Sequence, residues 1–249
     1  MKSILLYLSI CFVSFNVCAE NGEKVLTFNY WAEAGPPFVI LSDDSKQSIS
    51  SGILKDLADL IARRLNTSPL FINIPVRRTD SQLGSGSIDI NCLTNPIWKD
   101  NPDAYDWSPP LFKGADRFLV RKSDEHEFAT FADLNGKKLG VYNGYIYQEK
   151  IMDMIKSGDI DAVKVSGIDH GIKLLLLDRI DLLIDFDTLL NFKIKTSYSD
   201  QLALVDLVAE TYDLYCAYSK KTTFDINQLN DALTGLVENG EIKAILSQY

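Results

Sequence analysis

Apolar residues recur at spacings of three and four through GILKDLADLIARRL, where Ile53, Leu54, Leu57, Leu60, Ile61 and Leu65 make one stripe and Lys55, Asp56, Asp59, Arg63 and Arg64 fill the other face. That period predicts an amphipathic helix. Short runs rich in β-branched and aromatic residues predict strands at 25–30, 70–75 and 88–93, with a brief helix from Asp80 to Leu83 stopped by Gly84 or Gly86. The first stretch of chain therefore reads β, α, β, α, β, the pattern of a parallel sheet with crossover helices.

The pattern restarts after YDWSPPLF, residues 105–112. Strands are predicted at 117–121, 138–142, 162–165 and 180–185, and helices at 131–134, 148–156 and 168–178. The tail returns with strands at 203–208 and 214–219, a helix at 226–238 stopped by Gly240, and a last short helix. Two units of similar size imply an α/β fold of two lobes, each a mostly parallel sheet flanked by helices, joined by two crossing strands. Lobe one takes 24–112 plus 214–249 and lobe two takes 115–210, with crossings near Lys113 and Tyr212. Ligands of open α/β sheets gather at the carboxyl ends of strands, so the cleft between the lobes is the expected site.

Lys2, an apolar run over residues 4–13 and the small-residue ending Val17-Cys18-Ala19 read as a secretory leader, residues 1–19, cut after Ala19. The run is far short of the ~20 residues that span a bilayer. Export and a periplasmic location follow as expectations. Without the leader the 25 basic residues lose Lys2 and the 34 acidic ones lose none, leaving a net charge of −10. Nucleic acid is a poor partner for such a surface. Cys92 and Cys216 remain; a disulfide is permitted in an exported chain, and two buried thiols in apolar strands are the other reading. His126 and His170 stand apart from each other, so neither a metal site nor a cofactor is expected.

PPF at 36–38, the amphipathic helix, LGSGSIDI at 83–90, YDWSPPLF, LNGKKLGVYNG at 134–144, DRIDLLID at 178–185 and the C-terminal LNDALTGLVENGEIKAILSQY occur in a specific order and spacing. Together they resemble the periplasmic solute-binding proteins of polar amino-acid uptake systems, the bilobed type II binding proteins. The resemblance implies that the aromatic-Ser-x-Pro segment ends the pocket wall of lobe one and feeds the first crossing strand, so that Trp107 and Ser108 are scaffold. Proline's fixed φ and missing N–H suit a chain leaving one sheet for another.

The departures from that family matter as well. Seven residues before Ser108, where the family's carboxylate-binding arginine is expected, stands Asn101, with Lys99 two residues away as a solvated loop lysine or a point charge. Where the family places an aspartate for an α-ammonium stands Phe186, between Asp185 and Asp187. The loop that normally offers small hydroxyls reads Gly144-Tyr145-Ile146-Tyr147. A standard α-amino acid thus loses both charged anchors. Arg77 and Arg78, opening the next helix, are candidates to restore positive charge. Trp31, Glu33, Phe38 and Trp98 suit a ligand sandwich, Phe38 serving equally well as core. Thr94, Asn95, Tyr145, Tyr147 and Asp185 complete the candidate ligand-binding set.

The function expected is capture of a small polar or anionic, amino-acid-like ligand, by a monomer that serves an inner-membrane ABC permease or a sensor. The alternative is a periplasmic enzyme on the same scaffold, such as a cyclohexadienyl dehydratase-like lyase, with Glu33, Asp185 and Asp187 as its candidate acids or bases. With no nucleophile, metal or nucleotide-loop motif in the sequence, binding is the reading adopted.

Overall fold

The computed structural model describes residues 24–42, 48–143, 145 and 147–249. The expected leader lies outside them, as do Gly144 and Ile146 of the tyrosine loop. In chain order the elements are β1 Val25–Tyr30, β2 Ile40–Leu41, β3 Ile49–Ser51, α1 Ile53–Arg64, β4 Ser68–Asn73, α2 Val76–Ser85, β5 Ile90–Thr94, β6 Tyr105–Trp107 and β7 Phe112–Arg121. They continue with β8 Lys137–Tyr142, α3 Glu149–Ser157, β9 Ile160–Val165, α4 Ile168–Leu176, β10 Leu182–Phe186, α5 Asp187–Lys193, β11 Leu202–Ser219, α6 Ile226–Glu238 and α7 Glu241–Gln248.

β1 runs parallel to β4 and β5, and β8 runs parallel to β9 and β10. β7 and β11 connect these two sets, because β11 pairs antiparallel with β7 along residues 202–214 and then with β5 and β6 along 215–219. The strand order is β4-β1-β5-β11-β7-β10-β8-β9. An 18-residue strand is roughly 60 Å long. β11 is thus long enough to serve both sheets, and register shifts between Leu204 and Glu210 bend it on the way. The two tail strands expected from the sequence are one continuous strand, Leu202–Ser219.

Burial follows the apolar stripes. α1 buries Ile53, Leu54, Leu57, Ala58, Ile61 and Ala62 against β1, α6 and α7. Gly52, which precedes it, has φ +113, and a Cβ there would come within 2.6 Å of the Phe38 carbonyl oxygen. Only glycine allows the strand-to-helix turn to pass that close to Phe38. The largest core cluster draws its buried residues from 26–111 and 216–245, and two others draw theirs from 118–209. These separate cores make two lobes, one on each side of the paired β7 and β11.

Two helices differ from expectation. α2 begins at Val76, directly after Pro75, and ends where Gly86 adopts φ +81. α5 has no counterpart in the sequence reading, because its seven residues are too few to display a helical period.

Ser108 is buried and structural. Its hydroxyl accepts from the Cys216 N–H at 2.9 Å and donates to the Pro109 carbonyl at 2.7 Å, and its own N–H donates to the Cys216 carbonyl. Cys92 and Cys216 face each other across β5 and β11 and are joined by a disulfide, which settles between the two readings left open for them. The bond closes a segment of 124 residues, which includes all of lobe two.

Candidate functional site

A cavity of about 460 Å³ lies where the carboxyl ends of β1 and β5 meet the crossing strands. β1 supplies Asn29 and Tyr30, followed by Trp31; β5 supplies Asn91 to Thr94; the start of α2 supplies Val76, Thr79 and Asp80. Tyr212 and Leu214 enter from β11, and Tyr145 and Phe186 from lobe two. The strand ends of a parallel sheet and a second lobe opposite them are where such a site is expected.

The walls meet through aromatic rings. Phe38 of lobe one packs against Phe186 of lobe two at 5.6 Å between centroids. Phe186 stacks on Tyr212 at 5.9 Å with 14° between planes, and Tyr212 meets Trp98 edge-on at 5.0 Å. Offset stacking and edge-to-face geometry are the favoured arrangements of such pairs. The Phe186 ring fits there because residue 114, opposite Tyr212 in β7, is glycine.

Behind the rings stand carboxylates. The Tyr212 hydroxyl donates to Asp116 at 2.8 Å, and Asp116 is only 4% exposed. Burial pushes the Asp116 carboxyl up, the Tyr212 hydrogen bond opposes that, and the charges of Glu210 and Asp187 add to it. Asp185 accepts from the Tyr142 hydroxyl and, at 2.7 Å, from the Phe186 N–H. Burial raises Asp185 to about 6 in spite of both bonds. Burial also pushes the Tyr142 and Tyr212 hydroxyls upward, so both are donors at neutral pH.

Of the expected contacts, Trp31, Phe38, Thr94, Trp98 and Tyr145 line the cavity. Trp98 and Tyr145 remain 46% and 47% exposed at its mouth. Asn95 is buried beside it, capping a short turn through the Ile97 N–H and donating to the Asp213 carbonyl at 2.7 Å. Tyr147 lies in the core of lobe two, its hydroxyl accepting from the Tyr142 N–H. Asp185 sits behind Phe186 and positions that residue's backbone. Glu33 and Asn101 are exposed and do not line the cavity.

Arg77 and Arg78 are exposed on the first turn of α2 and do not line the cavity, whereas Val76, Thr79 and Asp80 from the same helix do. Among the described lining residues the cation is Lys99, whose side chain is 9% exposed. Its ammonium donates to Asp80 at 2.6 Å and to Asn91 at 3.4 Å. Two short turns, at Pro96–Trp98 and Pro102–Ala104, separate β5 from β6 and set Lys99 inward while Asn101 faces solvent. Counting back from Ser108 does not register those turns. Phe186 lines the cavity at the position the family resemblance pointed to, whereas Tyr212, read only as a crossing residue, was hidden as a wall residue, since strand alternation shows a face but not which lobe it meets.

Residues 30–249 match the family model of bacterial extracellular solute-binding proteins, family 3. The chain belongs to that family. Among curated relatives it is 26% identical over 220 residues to the L-cystine-binding protein TcyJ of Escherichia coli, a match covering 86% of this chain and 78% of that protein. It is 23% identical over 172 residues to the amino-acid-binding protein AabA of Dichelobacter nodosus, covering 69% and 67%. Among solved structures, an ancestral cationic amino acid solute-binding protein shares the fold at TM-score 0.74 and 18% identity, covering 90% of this chain and 95% of that one. The GluR0 ligand-binding core in complex with L-glutamate does so at 0.73 and 13%, covering 92% and 99%. Membership makes this chain a solute-binding protein, and these relatives lend no support to the lyase reading. Among the described residues no helix is long and apolar enough to cross a membrane.

Proposed function

We propose that the protein is exported by its leader, captures one small amino-acid-like solute between its lobes in the periplasm, and passes it to an inner-membrane ABC permease. The observation that carries this reading is the cavity of about 460 Å³ with walls from both lobes, bridged by Phe38 and Phe186. A volume of that size is in the range of small-molecule sites. The relatives named for L-cystine and amino acids support a solute of that size and kind. Closure is a population shift between open and closed lobes about the crossing strands, near the Lys113–Asp213 pair at 3.2 Å.

The test is to purify the exported protein without refolding, extract it under denaturing conditions and identify by mass spectrometry what is released. A single small solute near one equivalent, which rebinds to stripped protein and binds less well to Phe186→Ala, is the expected result. Protein that carries no solute and binds none of the standard amino acids, oligopeptides or amines would refute the reading.

A further inference from the structure

The charge of the cavity is unusual for a site that must hold a zwitterion. Among its described lining residues the charged ones are Asp80 and Lys99, and these are paired at 2.6 Å. Their charges cancel. A ligand carboxylate entering here would lose water without finding a free cation, and desolvating an unpaired carboxylate is strongly unfavourable. Arg77 and Arg78 do not line the cavity.

The rest of the wall favours the opposite sign. Seven described aromatic residues, Tyr30, Trp31, Phe38, Trp98, Tyr145, Phe186 and Tyr212, line the space. The faces of such rings attract cations, most strongly where water is excluded. Behind two of the rings the field is negative, because Asp116 holds the Tyr212 hydroxyl and Asp185 holds the Phe186 backbone. Arg117, opposite Asp185 in the β7–β10 ladder, donates to the Val205 carbonyl, and its charge offsets part of that field without lining the cavity.

Resting on the solute-binding reading above, we infer that the cleft recognises an organic ammonium ion by its aromatic rings and makes no charged contact to a carboxylate. The ligand class is the amine, primary or alkylated, with or without an acid group. This separates the site from one that grips an α-amino acid at both ends.

Trp31 and Trp98 line the cavity, so their fluorescence is the readout of the assay. Stripped wild-type protein is titrated with matched pairs of an amine and its parent amino acid: agmatine and arginine, cadaverine and lysine, phenethylamine and phenylalanine, with tetramethylammonium as a carboxylate-free control. Calorimetry confirms each hit. At least one amine binds at least as tightly as its parent acid. Tyr212→Ala and Phe186→Leu, shown to be folded by their melting transitions, weaken that amine about tenfold, the scale of a lost cation–ring contact. Lys99→Gln, which removes the positive charge and frees Asp80, strengthens the amine several-fold.

Binding of a parent amino acid at least about tenfold tighter than its amine, or loss of binding in Lys99→Gln, overturns the inference and leaves the solute-binding reading intact. Absence of amine binding at millimolar concentration overturns it too. If the protein then also releases no solute on extraction, both readings fall together.

Discussion

The Phe186 ring lies against the backbone of Gly114, so closely that a methyl group on residue 114 would come within 2.2 Å of the ring. Gly114 is opposite Tyr212 in the β7–β11 ladder, and Tyr212 is the residue on which Phe186 stacks. The glycine therefore makes the recess that lets a lobe-two ring close the cavity against Phe38.

Gly114→Ala should push the ring out of that recess. Overpacking of this kind typically costs about 1–3 kcal/mol of stability, and we expect solute affinity to fall by about tenfold as the Phe38–Phe186 bridge opens. In a double-mutant cycle with Phe186→Ala the two losses should be strongly non-additive, because both act through one ring. Additive losses would mean that Gly114 does not act through the Phe186 ring.

Ser108→Ala separates scaffold from site. It leaves the buried Cys216 N–H without its side-chain acceptor, so urea unfolding should show a loss of about 1–3 kcal/mol. Solute affinity measured on the folded variant should stay at the wild-type value, since Ser108 does not line the cavity.

The helix of residues 53–64 was legible because its stripe repeats over three turns and ends at Arg64, followed by Leu65 and by Asn66 at φ 51. The strands of both lobes were legible from β-branched runs bounded by glycine and proline. Boundaries shifted by a few residues where pairing partners extend a strand, as in β7, which begins at Phe112 because β11 is there to bond it. Continuity of β11 was not legible, because its bend is made by bulges that leave no composition signal. In the site, the large rings announced themselves as Trp31, Phe38, Trp98 and Tyr145. Lys99 was read as a solvated loop lysine or a point charge, but its pairing with Asp80 was not legible, the two being 19 positions apart on a turn and a helix that only tertiary packing brings together.

Replacing both disulfide cysteines, Cys92→Ala with Cys216→Ala, should lower stability by about 2–5 kcal/mol, the usual range for losing a native bridge that closes a long segment. A reducing agent should lower the unfolding midpoint of the wild type and leave that of the double variant unchanged. Equal responses in the two proteins would show that the bridge contributes nothing.

The stability should also fall as pH rises through the mildly acidic range. Asp185, at about 6 in the fold against about 3.9 unfolded, binds its proton more tightly in the native state. Its contribution is therefore fully present below about pH 4 and is lost as pH rises through about 6, on the order of 2–3 kcal/mol. Asp116 and Asp187, both raised by burial, act in the same direction. Denaturant midpoints between those pH values should slope downward, and Asp185→Asn should flatten the slope; an unchanged slope would remove Asp185 as its source.

Hydrogen exchange, read by mass spectrometry with and without the solute extracted from the exported protein, tests two-walled capture most directly. Bound solute should slow exchange in residues 91–99 of lobe one and in residues 142–149 and 185–188 of lobe two together, and Phe186→Ala should diminish both effects. Protection confined to one lobe, with the other exchanging as in the stripped protein, would contradict a site closed between them.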